Sequence, residues 1–288
     1  MLISTGDQRG GTAMTTPAPT RDQVRDAWDA LAPGFDEFTT PMTRRLAERL
    51  LGDAVQPGTR LLDLAAGSGA VGLVAARRGA EVVAVDIAPR MIEALAARAR
   101  AETLSNIEGR VMDGLALDLD DDSFDVCVSL NGVSLFPDLA RGLFEAVRVT
   151  RPGGRVIIGA FGPLPKAEFI AFTMGAMQAA VPGFTLPEGP LPPFRWADPE
   201  VFRRHLVGAG LTGVSVETVT GDTPFESVDH LWNTFRSSNP IGAKLVGSLS
   251  PEQQVQVRQV LDGMLRERSG GRAGATLHAE VNVGRGTK

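Results

Sequence analysis

The chain has 288 residues, 43% hydrophobic and 22% charged, which is the profile of a globular protein and not of a disordered or fibrous one. A net charge of −5 argues against a polyanion-binding surface, so nucleic acid is not the expected partner. No apolar run reaches the roughly 18 residues of a membrane span, and a single cysteine, Cys127, excludes a disulfide framework.

Residues 1–19 are rich in Ser, Thr, Gly and Pro and lack both halves of a secretion signal. A disordered tail and a cytoplasmic location are expected. Thr20 and Gln23 have capping-box spacing, predicting a helix with Val24, Trp28 and Leu31 on one face. Ala32-Pro33-Gly34 is expected to end it, and Pro41 to open a second helix reaching about Leu51.

The stretch from Arg60 to Arg100 organises the rest of the chain. A short apolar run, Leu61–Leu64, carries one charge at Asp63 and leads into the loop Ala65-Ala66-Gly67-Ser68-Gly69. A helical segment and a second apolar run, Val82–Val85, come next and end at Asp86. This pattern predicts a β-α-β unit with parallel strands. Pro89 then starts a helix to Arg100, and Glu108–Met112 is a third strand closing at Asp113-Gly114. Phe124–Leu130 reads as a strand buried on both faces, ending at Asn131-Gly132. Pro137-Asp138 begins another helix, and Arg151-Pro152-Gly153-Gly154 turns it into a strand over Arg155–Ala160.

Beyond this core, a helix is expected over Lys166–Ala180. A lid with six prolines between Pro182 and Pro199 follows, carrying Phe184, Phe194 and Trp196. Asp198-Pro199 caps a helix to Val207, and Val214–Val219 alternates as a strand. The tail reads as a helix over Val228–Arg236, a turn at Ser237–Pro240, a helix from Ser250 and a last strand over Thr276–Val283.

Glycines in the loop permit a tight turn and close approach of a ligand to the backbone. Asp86, at the carboxyl end of a strand, can accept hydrogen bonds from both hydroxyls of a ribose. Together they outline a nucleoside site. Gly67-Ser68-Gly69-Ala70-Val71-Gly72 also matches the dinucleotide pattern G-x-G-x-x-G. Asp63 speaks against that reading, because a carboxylate near a pyrophosphate repels it. It suits the ammonium of S-adenosylmethionine.

Asp63-Leu64-Ala65-Ala66-Gly67-Ser68-Gly69 resembles the D-x-G/A-x-G-x-G signature of class I S-adenosylmethionine-dependent methyltransferases. Val82–Asp86 resembles their acidic second motif, and Arg151-Pro152-Gly153-Gly154 the turn before their fifth strand. The likeness is greatest to the small-molecule, ubiquinone/menaquinone-type branch. It implies a Rossmann-like α/β fold: a mostly parallel seven-stranded sheet, helices on both faces, an N-terminal helical cover and a proline-rich lid. One domain over 20–288 is expected, with cover 20–56, cofactor core 58–162, lid insertion 163–199 and C-terminal strands and helices 200–288.

The resemblance further implies S-adenosylmethionine as cofactor, with S-adenosylhomocysteine as product. The implied cofactor residues are Asp63, Ala65, Gly67, Ser68, Gly69, Asp86, Ile87, Met91, Met112, Asp113, Gly114 and Asn131. Asp113 is expected at the adenine amino group. The acceptor is expected to be small and hydrophobic, methylated at O, N or C, with Trp28, Phe35, Phe194 and Trp196 around it. The Asn/Asp-Pro-Pro-Tyr motif of base-amino methyltransferases is absent after the fourth strand. A general base is needed only for a protonated acceptor; His230 and Glu168 are the candidates, since the chain has no tyrosine. No grouping has metal-ligand spacing. The competing readings are a non-catalytic S-adenosylmethionine-binding module and a nicotinamide-dependent oxidoreductase.

Overall fold

The computed structural model describes residues 19–185 and 191–288. The expected tail therefore lies outside the described residues except for Pro19, as does the 186–190 part of the lid. Among the described residues no helix is long and apolar enough to cross a membrane.

Helix α1, Arg21–Gly34, begins where Thr20 and Gln23 exchange side-chain and backbone hydrogen bonds. The α-helix ends at Gly34, as expected from Ala32-Pro33-Gly34, but the helical path does not break there. Pro33 sits inside the helix, and the chain widens into a π-helical turn, Phe35–Thr39, before α2, Thr40–Leu51. A proline removes one backbone bond and crowds the preceding turn. Here a widened turn follows it and the helical path continues.

Seven strands form one sheet in the order β3-β2-β1-β4-β5-β7-β6. They are β1 Arg60–Leu64, β2 Glu81–Asp86, β3 Ile107–Val111, β4 Phe124–Leu130, β5 Thr150–Phe161, β6 Thr212–Phe225 and β7 Ala275–Thr287. β1 to β5 are parallel, and β7 is antiparallel to both its neighbours. Strand order reverses between β1 and β4, and open α/β sheets bind ligands at the carboxyl ends beside such a switch.

The two-residue period of each strand divides the core into layers. Leu61, Val126 and Ile157 pack with Ala47 and Leu50 of α2 and Val74 of α3, Gly72–Arg77. Leu62, Cys127 and Val156 face the other way, onto Leu143 of α5, Leu139–Val149, and Phe202 of α7, Pro199–Gly208. Helix α4, Pro89–Ala101, joins the first layer through Leu95. This Rossmann-like sheet with helices on both faces matches the expected class.

Three details depart from expectation. The Arg151–Gly154 turn is absorbed into β5 as an irregularity, with Gly153 at φ 77° and the register shifting between Phe124 and Val126. β6 and β7 are longer than their patterns suggest: Thr220–Phe225 pairs with Ala275–Glu280 beyond the reach of β5. That ribbon carries a third core, in which α6 (Glu168–Ala180), α8 (Val228–Ser238) and α10 (Pro251–Ser269) bury Phe169, Met177, Trp232 and Leu261. Finally, the turn at Ser237–Pro240 leads directly into a further helix, α9, Pro240–Gly247. Asn239 caps it by accepting from Ile241 and Gly242 N–H.

Candidate active site

Two buried carboxylates shape the loop after β1. Ala65, Gly67 and Gly69 take φ values of 56°, 54° and 91°, which fold the backbone back on itself. Gly67 N–H donates to Asp86 Oδ2 at 2.9 Å, and Ala88 N–H donates to Asp86 Oδ1 at 3.0 Å. Gly72 N–H donates to Asp63 Oδ2 at 2.7 Å. Burial pushes Asp63 up to about 7; the Gly72 amide opposes this and the neighbouring Asp86 charge adds to it. Burial also raises Asp86, against the pull of the Ala88, Gly67 and Ile87 amides. Helix α3 has only six residues, so its dipole contributes little at the loop.

Above the loop, at the switch point, lies a cavity of about 360 Å³. Its floor is Ala65, Gly67, Asp86, Ile87, Met91, Met112, Asp113, Gly114 and Asn131, and its roof comes from Arg21, Val24, Trp28 and Phe35. Trp28 and Phe35 meet edge to face, 6.1 Å apart. Phe35 lies so near the loop that a Cβ on Gly67 would stand 3.0 Å from its Cε1. Polar ties hold the roof down: Thr40 Oγ1 to Ser68 Oγ at 2.5 Å, Arg98 Nε to Asp36 Oδ1 at 2.6 Å, and Arg90 N–H to Asp29 Oδ1 at 2.8 Å. Arg21 Nε reaches Asp113 Oδ2 at 3.2 Å, while Asp113 Oδ1 accepts from Leu115 N–H.

Among the described residues, three polar atoms in the cavity wall are buried without a partner: Thr39 Oγ1, Asn131 Oδ1 and Ser134 Oγ. Buried polar groups are normally hydrogen-bonded, so this wall is built for a polar ligand. The residues fit S-adenosylmethionine.

Not every expected residue lines the cavity. Asp63, Ser68 and Gly69 lie behind the loop. Asp63 holds Gly72, Ser68 holds the cover through Thr40, and a Cβ on Gly69 would press on Leu95. Trp196 is fully buried and stacked 4.7 Å from Phe202, because Asn282 Nδ2 donates to its carbonyl and pins the strap to the sheet. Phe194 packs against Phe161, which is itself a wall residue. Neither Phe194 nor Trp196 borders the cavity.

The two candidate bases have other settings. Glu168 pairs with Arg268 at 3.2 Å and accepts from His278 N–H at 2.7 Å. His230 packs against the rings of Phe225 and Phe38, and its Nδ1 accepts from Glu226 N–H at 3.4 Å. Neither lines the cavity. Unforeseen wall residues include Thr39, Met42, Phe161, Phe169, Ser238 and Asn239. A cap signal at Asn239-Pro240 was readable; the others look like ordinary packing residues.

The structure is thus a mostly parallel Rossmann-like sheet with a glycine loop after β1 and an acid ending β2. Residues 62–158 match the family model described as a methyltransferase domain. An uncharacterized protein of Mycobacterium tuberculosis, Rv1405c, is 35% identical over 161 residues, 56% of each chain. Nocamycin O-methyltransferase of Saccharothrix syringae is 37% identical over 156 residues, 52% of this chain and 55% of the relative. Demethylmenaquinone methyltransferase of Clavibacter sepedonicus is 36% identical over 150 residues, 50% and 57% of the two chains. The chain thus spans about half the length of the curated relatives it matches. Among solved structures, the [4+2]-cyclase SpnF superposes with a TM-score of 0.57 at 16% identity, over 94% of this chain and 98% of that one. That likeness shows the fold alone.

Proposed function

We propose that the protein transfers the methyl group of S-adenosylmethionine to a small, largely apolar acceptor. One observation carries this reading: the cavity at the switch point is floored by the Asp86-held glycine loop and walled by three unpartnered polar atoms. Two buried carboxylates that already repel one another favour a cationic ligand and disfavour a pyrophosphate, which argues against the nicotinamide alternative.

When bound, S-adenosylmethionine supplies an electrophilic methyl on a sulfonium that is already an activated leaving group. The protein's part is orientation and the exclusion of water. Asp86, Asp113 and the loop would hold the cofactor, and Trp28 with Phe35 would shield it. Leu130, Phe161 and Phe169 make the opposite wall apolar. Among the described residues, the ionisable side chains of the wall are Arg21, Asp86 and Asp113, all engaged in roof or loop contacts. An acceptor that reacts as an anion or a free amine needs no further base.

The ubiquinone/menaquinone-type branch describes the lineage supported by the motifs and by the partial identity to the demethylmenaquinone enzyme. It does not dictate the acceptor, since one fold hosts many reactions.

Calorimetric titration with S-adenosylhomocysteine, beside NADH, tests the reading. Micromolar binding of the first and none of the second is expected. Binding of NADH in its place contradicts the proposal. Methyl transfer from labelled S-adenosylmethionine to any acceptor excludes the non-catalytic alternative.

A further inference from the structure

We infer that the acceptor is an amphipathic anion that spans two cavities, its reacting end at Asn131 and its charged end at Arg45 and Arg49. The inference rests on the function proposed above and narrows its acceptor.

A second cavity of about 210 Å³ lies between α2 and the outer parts of β6 and β7. It shares Met42, Thr43, Asn131 and Phe161 with the first. One elongated molecule can therefore touch both, with its apolar body between Met42 and Phe161. Asn131 stands at the junction, held at φ 55°, with its side-chain oxygen buried and unpartnered. An O–H or N–H on or beside the reacting group satisfies that oxygen.

Charge identifies the far end. Arg45 and Arg49 are four residues apart on α2, so they share a face, and both line the second cavity. Like charges at this spacing repel, and an anion between them relieves the repulsion. Among the described residues neither has a carboxylate within ion-pair distance. Arg49 instead donates to Thr220 O at 2.7 Å, which steadies its guanidinium at the cavity wall. The carboxylate in this wall, Asp222, is engaged with His278 Nδ1 at 2.7 Å. The wall thus carries two guanidiniums against one carboxylate, and the neck sets the apolar Met42 and Phe161 beside the polar Thr43 and Asn131. A neutral quinol would leave the arginines unanswered.

The test uses the full chain saturated with S-adenosylhomocysteine, so that only the cofactor's part of the first cavity is filled, and decanoate and decan-1-ol as probes in equilibrium dialysis. Decanoate is expected to bind at least about tenfold more tightly than decanol, the value of one charge-assisted contact. Arg45→Gln/Arg49→Gln should erase that preference while leaving S-adenosylhomocysteine affinity and decanol binding unchanged. Arg45→Lys/Arg49→Lys, which keeps the charge, should retain it. Met42→Trp, which fills the neck, should weaken both probes. Equal binding of the two probes, a preference that survives the glutamine pair, or decanoate binding indifferent to Met42→Trp overturns the inference. Failure of S-adenosylhomocysteine to bind the wild type is a separate result and contradicts the underlying function.

Discussion

The two halves of the cavity are held in different ways. The cofactor half is specified by hydrogen bonds between backbone amides and buried carboxylates: Gly67 and Ala88 to Asp86, Gly72 to Asp63. The acceptor half is specified by packing, with Met42, Phe161 and Phe169 brought together from three separate elements. Directional bonds allow little variation in the ligand. An apolar wall accepts many shapes.

The largest effect is expected at the loop. Gly67→Val introduces a branched side chain at φ 54°, against Phe35. Left-handed backbone at such a residue costs about 1–2 kcal/mol, before the contact with the roof is counted. S-adenosylhomocysteine binding should be lost and the melting temperature lowered, as read by calorimetry and thermal unfolding. A variant that binds normally would show that the loop is not close to the ligand.

Protonation separates the two halves further. Asp63 is pushed up to about 7 in the folded state, from an ordinary value of 3.8. Between those pH values the native state keeps a proton that the unfolded chain has lost. Stability therefore falls as pH rises through the window, by up to about 1.4 kcal/mol per pH unit. Urea unfolding of the ligand-free protein should show this slope, and Asp63→Asn should flatten it. A cationic ligand favours the charged carboxylate, so cofactor affinity should rise with pH over the same window, and rise less steeply in Asp63→Asn, where Asp86 alone remains raised.

Smaller effects belong to the roof and to the residues outside the cavity. Trp28→Ala opens the cover and should weaken S-adenosylhomocysteine about tenfold, roughly the 1.4 kcal/mol of a modest apolar contact. Glu168→Gln should leave the pH profile of turnover unchanged and cost about 1 kcal/mol of stability, because its contacts are with Arg268 and the His278 amide. A shifted pH profile in Glu168→Gln would restore it as a base.

The same division explains what could be read in advance. The cofactor half was legible because its determinants are local: β1, the loop, α3 and β2 are contiguous, and Asp63 and Asp86 mark the strands they sit on or end. The fold followed from the same motifs. The acceptor half was not legible. Thr39 falls where Pro33 signalled a break, but a π-helical turn bridges the gap. Trp196, an aromatic in a proline-rich strap, carries no local sign that Asn282 will pin its backbone to the sheet. Phe161 ends a strand and Phe169 begins a helix as ordinary core residues do, and only the tertiary arrangement turns them into a wall.

Everything proposed for the site depends on Asp86 holding both the loop and the cofactor. Asp86→Asn keeps the size of the side chain but replaces one of its two acceptor oxygens with a donor facing a backbone amide. The decisive experiment titrates S-adenosylhomocysteine into wild type and variant, with melting temperatures alongside. The expected result is a folded variant with affinity lower by about 10–100-fold, the loss of one or two hydrogen bonds to a charged group. Unchanged affinity would contradict the role given to Asp86.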